Sequence, residues 1–203
     1  MSESEGSFSK GRLEAFSDGV MAVIITIMVL ELKAPETDDL ADLVKLWPSF
    51  SIYFVSFTFV AIYWINHHSI LVQARHATAT LIWANSLLLF FLSLVPFATA
   101  YVGATRLAPL PTVLYGALQF LCGVAFTLTF RVIVAQRQDD AEYQKMANAR
   151  YVQNYIALAT YAGATALAAF WPAAATILFL AVAIAYVIPG LFAEARQRRE
   201  RLG

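Results

Sequence analysis

Arg12-Leu13-Glu14-Ala15-Phe16-Ser17-Asp18-Gly19-Val20-Met21-Ala22-Val23-Ile24-Ile25-Thr26-Ile27-Met28-Val29-Leu30-Glu31 decides the fold class. A helix that crosses a bilayer needs about 20 mostly apolar residues, and this stretch supplies them. It carries a carboxylate, Asp18, well inside its first end. Beyond Asp18 it offers apolar side chains and a single hydroxyl, Thr26, before it reaches Glu31.

The rest of the chain agrees with a membrane reading. Of its 203 residues, 60% are hydrophobic and 14% charged, against about 45–50% and about 25% in soluble domains. Mean hydropathy is +0.63. Fifteen Phe, nine Tyr and four Trp add more apolar surface than a soluble chain of this length can bury, whereas a bilayer covers it. Formal net charge is zero, so no global field favours nucleic acid. The lone cysteine, Cys122, sits in an apolar run and has no intrachain partner. There is no CxxC, His-rich tract, GxGxxG or GxxxxGK[ST], so neither an enzyme, a cofactor site nor a metal centre is expected.

Six stretches read as membrane spans, giving an all-α integral membrane protein. They run from about 13 to 32, 48 to 72, 78 to 102 and 111 to 135, with spans five and six sharing about 151 to 192. Trp171-Pro172 marks the break in that last stretch. Pro48 suits the first turn of the second span, and Pro96 predicts a kink in the third. Residues 1–9 read as a disordered polar tail, 10–193 as one six-helix membrane domain, and 194–203 as a basic tail. No cleavable signal peptide is visible.

Orientation follows from Lys and Arg placement. With both termini cytoplasmic, only Lys33, Lys45 and Arg106 of the fourteen basic residues fall outside. Every inner loop and both tails share the remainder, as the positive-inside rule requires of a multi-pass membrane protein. The outer first loop carries Glu31, Glu36, Asp38, Asp39 and Asp42. It reads either as a cation-attracting vestibule or as a solvated helix-capping loop.

An ionisable residue inside a span is costly and calls for a partner or a pathway. Asp18 lies roughly 8 Å past the inner boundary at about 1.5 Å per residue. The second span runs the other way, so His67 and His68 reach a similar depth, as does Asn85 on the third. Trp64-Ile65-Asn66-His67-His68 thereby faces Phe16-Ser17-Asp18, with Arg12 just below. The residues alone support two readings: a proton or ion relay through Asp18, His67 and His68, or a structural network that locks the first helix in place. Farther along, Val23, Ile27 and Leu30 share a helical stripe with Gly19 and Val20 on its inward extension and Thr26 beside it. By spacing this is ordinary packing or lipid-facing surface, and Thr26 can bond the carbonyl of Ala22.

Arg12-x-x-x-Phe16-Ser17-Asp18-Gly19, followed by Val23 and Thr26, resembles the signature of the transmembrane protein 175 family of potassium channels. Trp64-x-Asn66-His67-His68 is similar to that family's second-helix pattern, and the resemblance covers essentially the whole chain. It implies a homotetramer of single-repeat subunits, with the first helices around a central pore. It implies a constriction of apolar side chains on that helix, Val23 and Leu30 with Ile27 between, in place of a carbonyl filter. It assigns Thr26 a part in potassium preference. It makes Arg12, Phe16, Ser17, Asp18, Gly19, Trp64, Asn66, His67 and His68 a packing core. Val23 departs from the larger Ile or Leu common at that position, which leaves the tightness of the constriction open.

The expected function is a potassium-selective channel with a hydrophobic constriction, since a ring of apolar side chains closes a pore by dewetting. Glu31 is the best-placed carboxylate for the outer mouth. No Arg-rich span resembles a voltage sensor, so voltage insensitivity is expected. Potassium is the permeant species, and the expected partners are further copies of the chain and the bilayer. The alternatives are a proton-coupled secondary transporter using the Asp18–His67–His68 relay and a non-transporting membrane scaffold. The transporter's usual internal repeats and broken midplane helices are not evident.

Overall fold

A computed structural model describes residues 9–35, 37–182 and 184. Most of the first expected tail, all of the second, and the later part of the sixth expected span lie outside the described residues. Among the described residues eight helices follow in order: α1 Lys10–Leu30, α2 Leu40–Val44, α3 Trp47–Leu71, α4 Ala79–Ser93, α5 Val95–Ala104, α6 Pro109–Ala135, α7 Ala141–Ala168 and α8 Pro172–Val182.

Local chemistry sets the boundaries. Ser9, Thr78 and Asp140 cap α1, α4 and α7, each side chain accepting from a backbone N–H in the first turn. α6 opens on Pro109 and α3 carries Pro48 in its first turn, where a missing N–H costs nothing. Pro96 breaks the third span as expected: α4 ends at Ser93, and α5 restarts at Val95. Together α4 and α5 form an apolar rod of 26 residues.

The expectation of six spans is overturned. Among the described residues four helices are long and apolar enough to cross a membrane: α1, α3, α4 with α5, and α6. The error lies in the stretch after 135. α7 begins ten residues before the apolar run assigned to a fifth span, and brings Glu142, Lys145 and Arg150 into the helix. Its apolar part is rich in Ala, which contributes far less hydropathy than Leu or Ile. The chain does break before Pro172, and the eleven described residues of α8 reach Val182, where the described part of that helix ends.

α6 is the most enclosed span, with Tyr115, Cys122 and Phe130 buried among α3, α4, α5 and α7. α1 is the least enclosed: 28% of its apolar window is buried, against 44–56% for the other three spans. It rests on α3, α4 and α5 through Leu13, Ser17, Met21, Ile24 and Met28. At the Lys10 end the connections are clamped. Arg75 makes paired contacts of 3.0 Å with Asp139. Gln136 bonds the backbone of Arg75 and His76 at 2.9 and 3.1 Å, and Arg137 bonds the Gln73 carbonyl at 2.7 Å.

Candidate functional site

α1 has two working faces. The buried one carries polar Ser17 among apolar neighbours, and its hydroxyl is spent twice. It donates to the Leu13 carbonyl at 2.8 Å and accepts from Asn85 Nδ2 at 2.9 Å. The Asn85 Oδ1 meets His67 Nε2 at 2.6 Å. Ser17, Asn85 and His67 are all buried, so this bridge ties α1, α4 and α3 where water cannot compete.

Asp18 belongs to a second contact. Its Oδ1 accepts from the Trp64 indole Nε1 at 2.9 Å. Among the described residues no hydrogen bond joins Asp18 to His67 or His68, and His68 is exposed. The two motifs therefore meet, as their depths predict, but as two separate links rather than one Asp–His–His chain. Asn66 turns away from α1 altogether. It bonds the Ile62 carbonyl at 2.9 Å through Nδ2 and accepts from Arg150 at 3.0 Å through Oδ1. Arg150 also reaches Ser69 at 2.9 Å, pinning α7 to the end of α3. Sequence reasoning counted Arg150 only as a topology charge; Asn66 and Ser69 are 84 and 81 positions away, and no local pattern marks them as partners. Arg12 stands in the first turn of α1 beside its Ser9 cap.

The other face of α1 is uncovered. Phe16, Val23 (54% exposed), Ile27 and Leu30 (71% exposed) lie along it. Phe16, Gly19, Val20, Val23, Ile27 and Glu31 line an open groove of about 810 Å³. Ser93, Pro96, Phe97 and Ala100 form its opposite wall, so the α4–α5 break at Pro96 shapes it. These wall residues were not anticipated. A Cβ on Gly19 would meet nothing within 4 Å. Leu30 is exposed at the end of the helix but does not line the groove, and neither does the exposed Thr26. The Thr26 hydroxyl donates to the Val23 carbonyl at 2.9 Å, not to Ala22 as spacing implied.

At the Leu30 end, Glu31 also borders a pocket with Lys33, Lys45 and Arg106. The acidic loop is largely committed to its own fold. Asp39 caps α2 through Ala41 N–H at 2.9 Å. Asp42 takes Lys45 at 2.6 Å and Thr37, and these donors hold its carboxyl below the usual carboxylate range. The capping reading fits these two carboxylates better than a vestibule does.

Comparison with known proteins reaches the same segment. The family model described as endosomal/lysosomal potassium channel TMEM175 matches residues 12–96, from Arg12 of α1 to Pro96 of the groove wall. A potassium channel of Chryseobacterium sp. (strain P1-3) is 39% identical over 181 residues, covering 89% of this chain and 94% of that one. A potassium channel of Chamaesiphon minutus (strain ATCC 27169 / PCC 6605) is 38% identical over 115 residues, 54% of this chain and 57% of that one. The crystal structure of a lysosomal potassium-selective channel TMEM175 homolog from Chamaesiphon minutus superposes with a TM-score of 0.79 at 26% identity. That match covers 89% of this chain and 97% of the other.

Proposed function

We propose, from the premise that the chain belongs to the TMEM175 family, that it is a potassium channel whose ion path runs along the uncovered face of α1. Membership rests on 39% identity across nearly the full length of both chains. The chain is accordingly a multi-pass protein of the bacterial inner membrane and a transport protein rather than an enzyme.

One observation carries the proposal: the least enclosed span is also the one that bears the candidate pore residues. The buried Ser17–Asn85–His67 bridge and the Asp18–Trp64 bond fix the rotation of α1. They leave Val23, Ile27 and Leu30 facing away from the subunit's own core. Four copies packed around a common axis would turn that stripe inward and make rings of branched apolar side chains. Such a ring excludes water when narrow and admits a cation when slightly spread. Thr26 hydroxyls beside the ring replace part of a cation's hydration shell. Glu31 at the far end of the groove draws cations to the mouth, more so at low salt.

Purified protein reconstituted in liposomes tests this directly. Potassium gradients should drive flux that sodium gradients support less well, and chemical crosslinking should trap species up to four subunits. Equal permeability to the two ions, or a species that stays monomeric while conducting, would overturn the proposal.

A further inference from the structure

We propose that the crevice between α3, α6 and α7 is a binding site for one aliphatic chain ending in a carbonyl group, as carried by a phospholipid ester or a fatty acid. The crevice is independent of the α1 groove. Phe59, Tyr63 and Phe126 wall it, with ring centroids 4.7 Å apart for Phe59–Tyr63 and 5.7 Å for Tyr63–Phe126. Tyr161 closes it edge-on to Phe59 at 6.1 Å. At Gly123 the wall has no side chain, and Leu158 packs closely there: a Cβ would meet its Cδ2 at 2.8 Å. The crevice is open along one side and slender: only about 40 Å³ of it admits the centre of a water molecule. A slot of that shape suits an alkyl chain and not a compact ring system.

Its polar equipment is sparse and mostly spent. Thr127 donates to the Gly123 carbonyl at 2.8 Å, and both ends of the Asn66 amide are engaged, by Ile62 and Arg150. Asn154 is different. It is 5% exposed, it lines the crevice, and its Nδ2 is buried without a hydrogen-bond partner. A buried donor left unpaired is destabilising, so the site is arranged for an acceptor. A turn about the broad χ2 of Asn brings the amide toward the space at little cost. Water is a poor occupant, because it seeks two to four polar partners in a place lined chiefly by rings and methyl groups. Depth fits as well. Residues 59–66 of α3 run from mid-helix to within about 8 Å of its end, at about 1.5 Å per residue. There the bilayer presents chains and, nearer the interface, ester carbonyls.

The test uses palmitic acid with a diazirine on its chain, either free or esterified in a phosphatidylglycerol, added to the reconstituted full-length protein. Irradiation followed by peptide mass spectrometry should place the label on the peptides of Phe126 and Leu158. Labelling by either probe supports the site and identifies the source. Labelling by neither, or labelling that a hundredfold excess of unlabelled lipid fails to reduce, overturns it. Ala157→Phe fills the slot and should remove the label. Undiminished labelling in a folded Ala157→Phe protein also overturns the site. Asn154→Leu serves if that variant fails to fold. Methyl palmitate should then compete about five- to tenfold less well, one hydrogen bond's worth, while hexadecane competes as before. Equal effects on both competitors would refute the role given to the amide.

Discussion

Asp18 Oδ1 accepts a hydrogen bond from the Trp64 indole at 2.9 Å, so the carboxylate of the first span is held by an uncharged donor from the next one. An amide oxygen can take the same bond. Asp18→Asn is therefore expected to fold, to assemble as wild type does, and to keep potassium flux within about twofold, since only the charge is lost. Trp64→Phe, which removes the donor, should lower the thermal midpoint more than Asp18→Asn does. Flux measured in liposomes across pH 5 to 8 separates this from a relay. Loss of pH-coupled transport in assembled Asp18→Asn would mean that the carboxylate moves protons.

Asn85 is the hinge of the buried bridge, serving Ser17 with its Nδ2 and His67 with its Oδ1. Asn85→Ala leaves buried His67 Nε2 without its partner and Ser17 Oγ with only its bond to the Leu13 carbonyl. The expected cost is about 1–2 kcal/mol, toward the lower end because polar groups in membranes find substitute partners more readily than in water. Thermal unfolding in detergent should show it. A double-mutant cycle with Ser17→Ala should give a coupling of about 0.5 kcal/mol or more. Additive losses would mean that the two residues stabilise the fold separately.

The four apolar spans, their order and the pairing of Phe16-Ser17-Asp18 with the Trp64–His68 segment were legible because each rests on a local signal. Length and hydropathy mark a span, proline marks its start or kink, and antiparallel depth follows from counting residues. The last helices failed for the same reason in reverse. α7 mixes a charged first half with an Ala-rich second half, so an apolar window placed its start ten residues late and credited it with spanning hydropathy it lacks. Side-chain partners across the bundle were legible only in part. His67 and Asp18 are close in depth, yet which rotates toward Asn85 and which toward Trp64 is decided by packing. Arg150 looked like a topology signal until the fold set it against Asn66 and Ser69.

Two glycines make a contrasting pair. A Cβ at Gly103 would come within 3.2 Å of the Ser49 backbone Cα, where α5 crosses the start of α3 and the backbone would have to shift by a few tenths of an ångström. Gly103→Ala should cost about 1–3 kcal/mol through overpacking. Gly19→Ala meets nothing within 4 Å and should leave the unfolding of the subunit unchanged, or raise its stability slightly through helix propensity. If the α1 groove faces another copy, Gly19→Ala alters crosslinking yield or flux without altering subunit stability. No change in any of the three would place Gly19 against lipid.

The clamp between the α3–α4 and α6–α7 connections carries a pH signature. The hydrogen bond from Arg75 holds the Asp139 carboxyl below the usual carboxylate range. A carboxyl whose folded pKa lies below its unfolded value, about 3.9, stabilises above that value, and the contribution fades as pH falls through the depressed one. Both side chains are exposed, so the effect is small. Wild type should melt slightly above Asp139→Asn at pH 7, and the gap should close as pH falls through the depressed value, below which both carry a neutral group. A gap that persists in acid would assign the difference to something other than this charge.

Val23 is the most informative single position for the proposed pore. It is uncovered in the subunit, lies in the groove, and is one of the smaller branched side chains. If four copies form an apolar ring there, a polar side chain of similar size should wet it. Val23→Asn is expected to raise potassium flux at least about threefold, because the barrier being removed is dewetting rather than steric closure. Thr26→Ala acts differently. Its hydroxyl already has an acceptor in the Val23 carbonyl, so the fold loses little, but its oxygen lone pairs are gone from the pore. Flux should persist while the reversal potential under mixed potassium and sodium shifts toward the sodium value. Unchanged reversal potentials in Thr26→Ala, together with unchanged flux in Val23→Asn, would move the ion path off this face of α1 and return the stripe to the lipid.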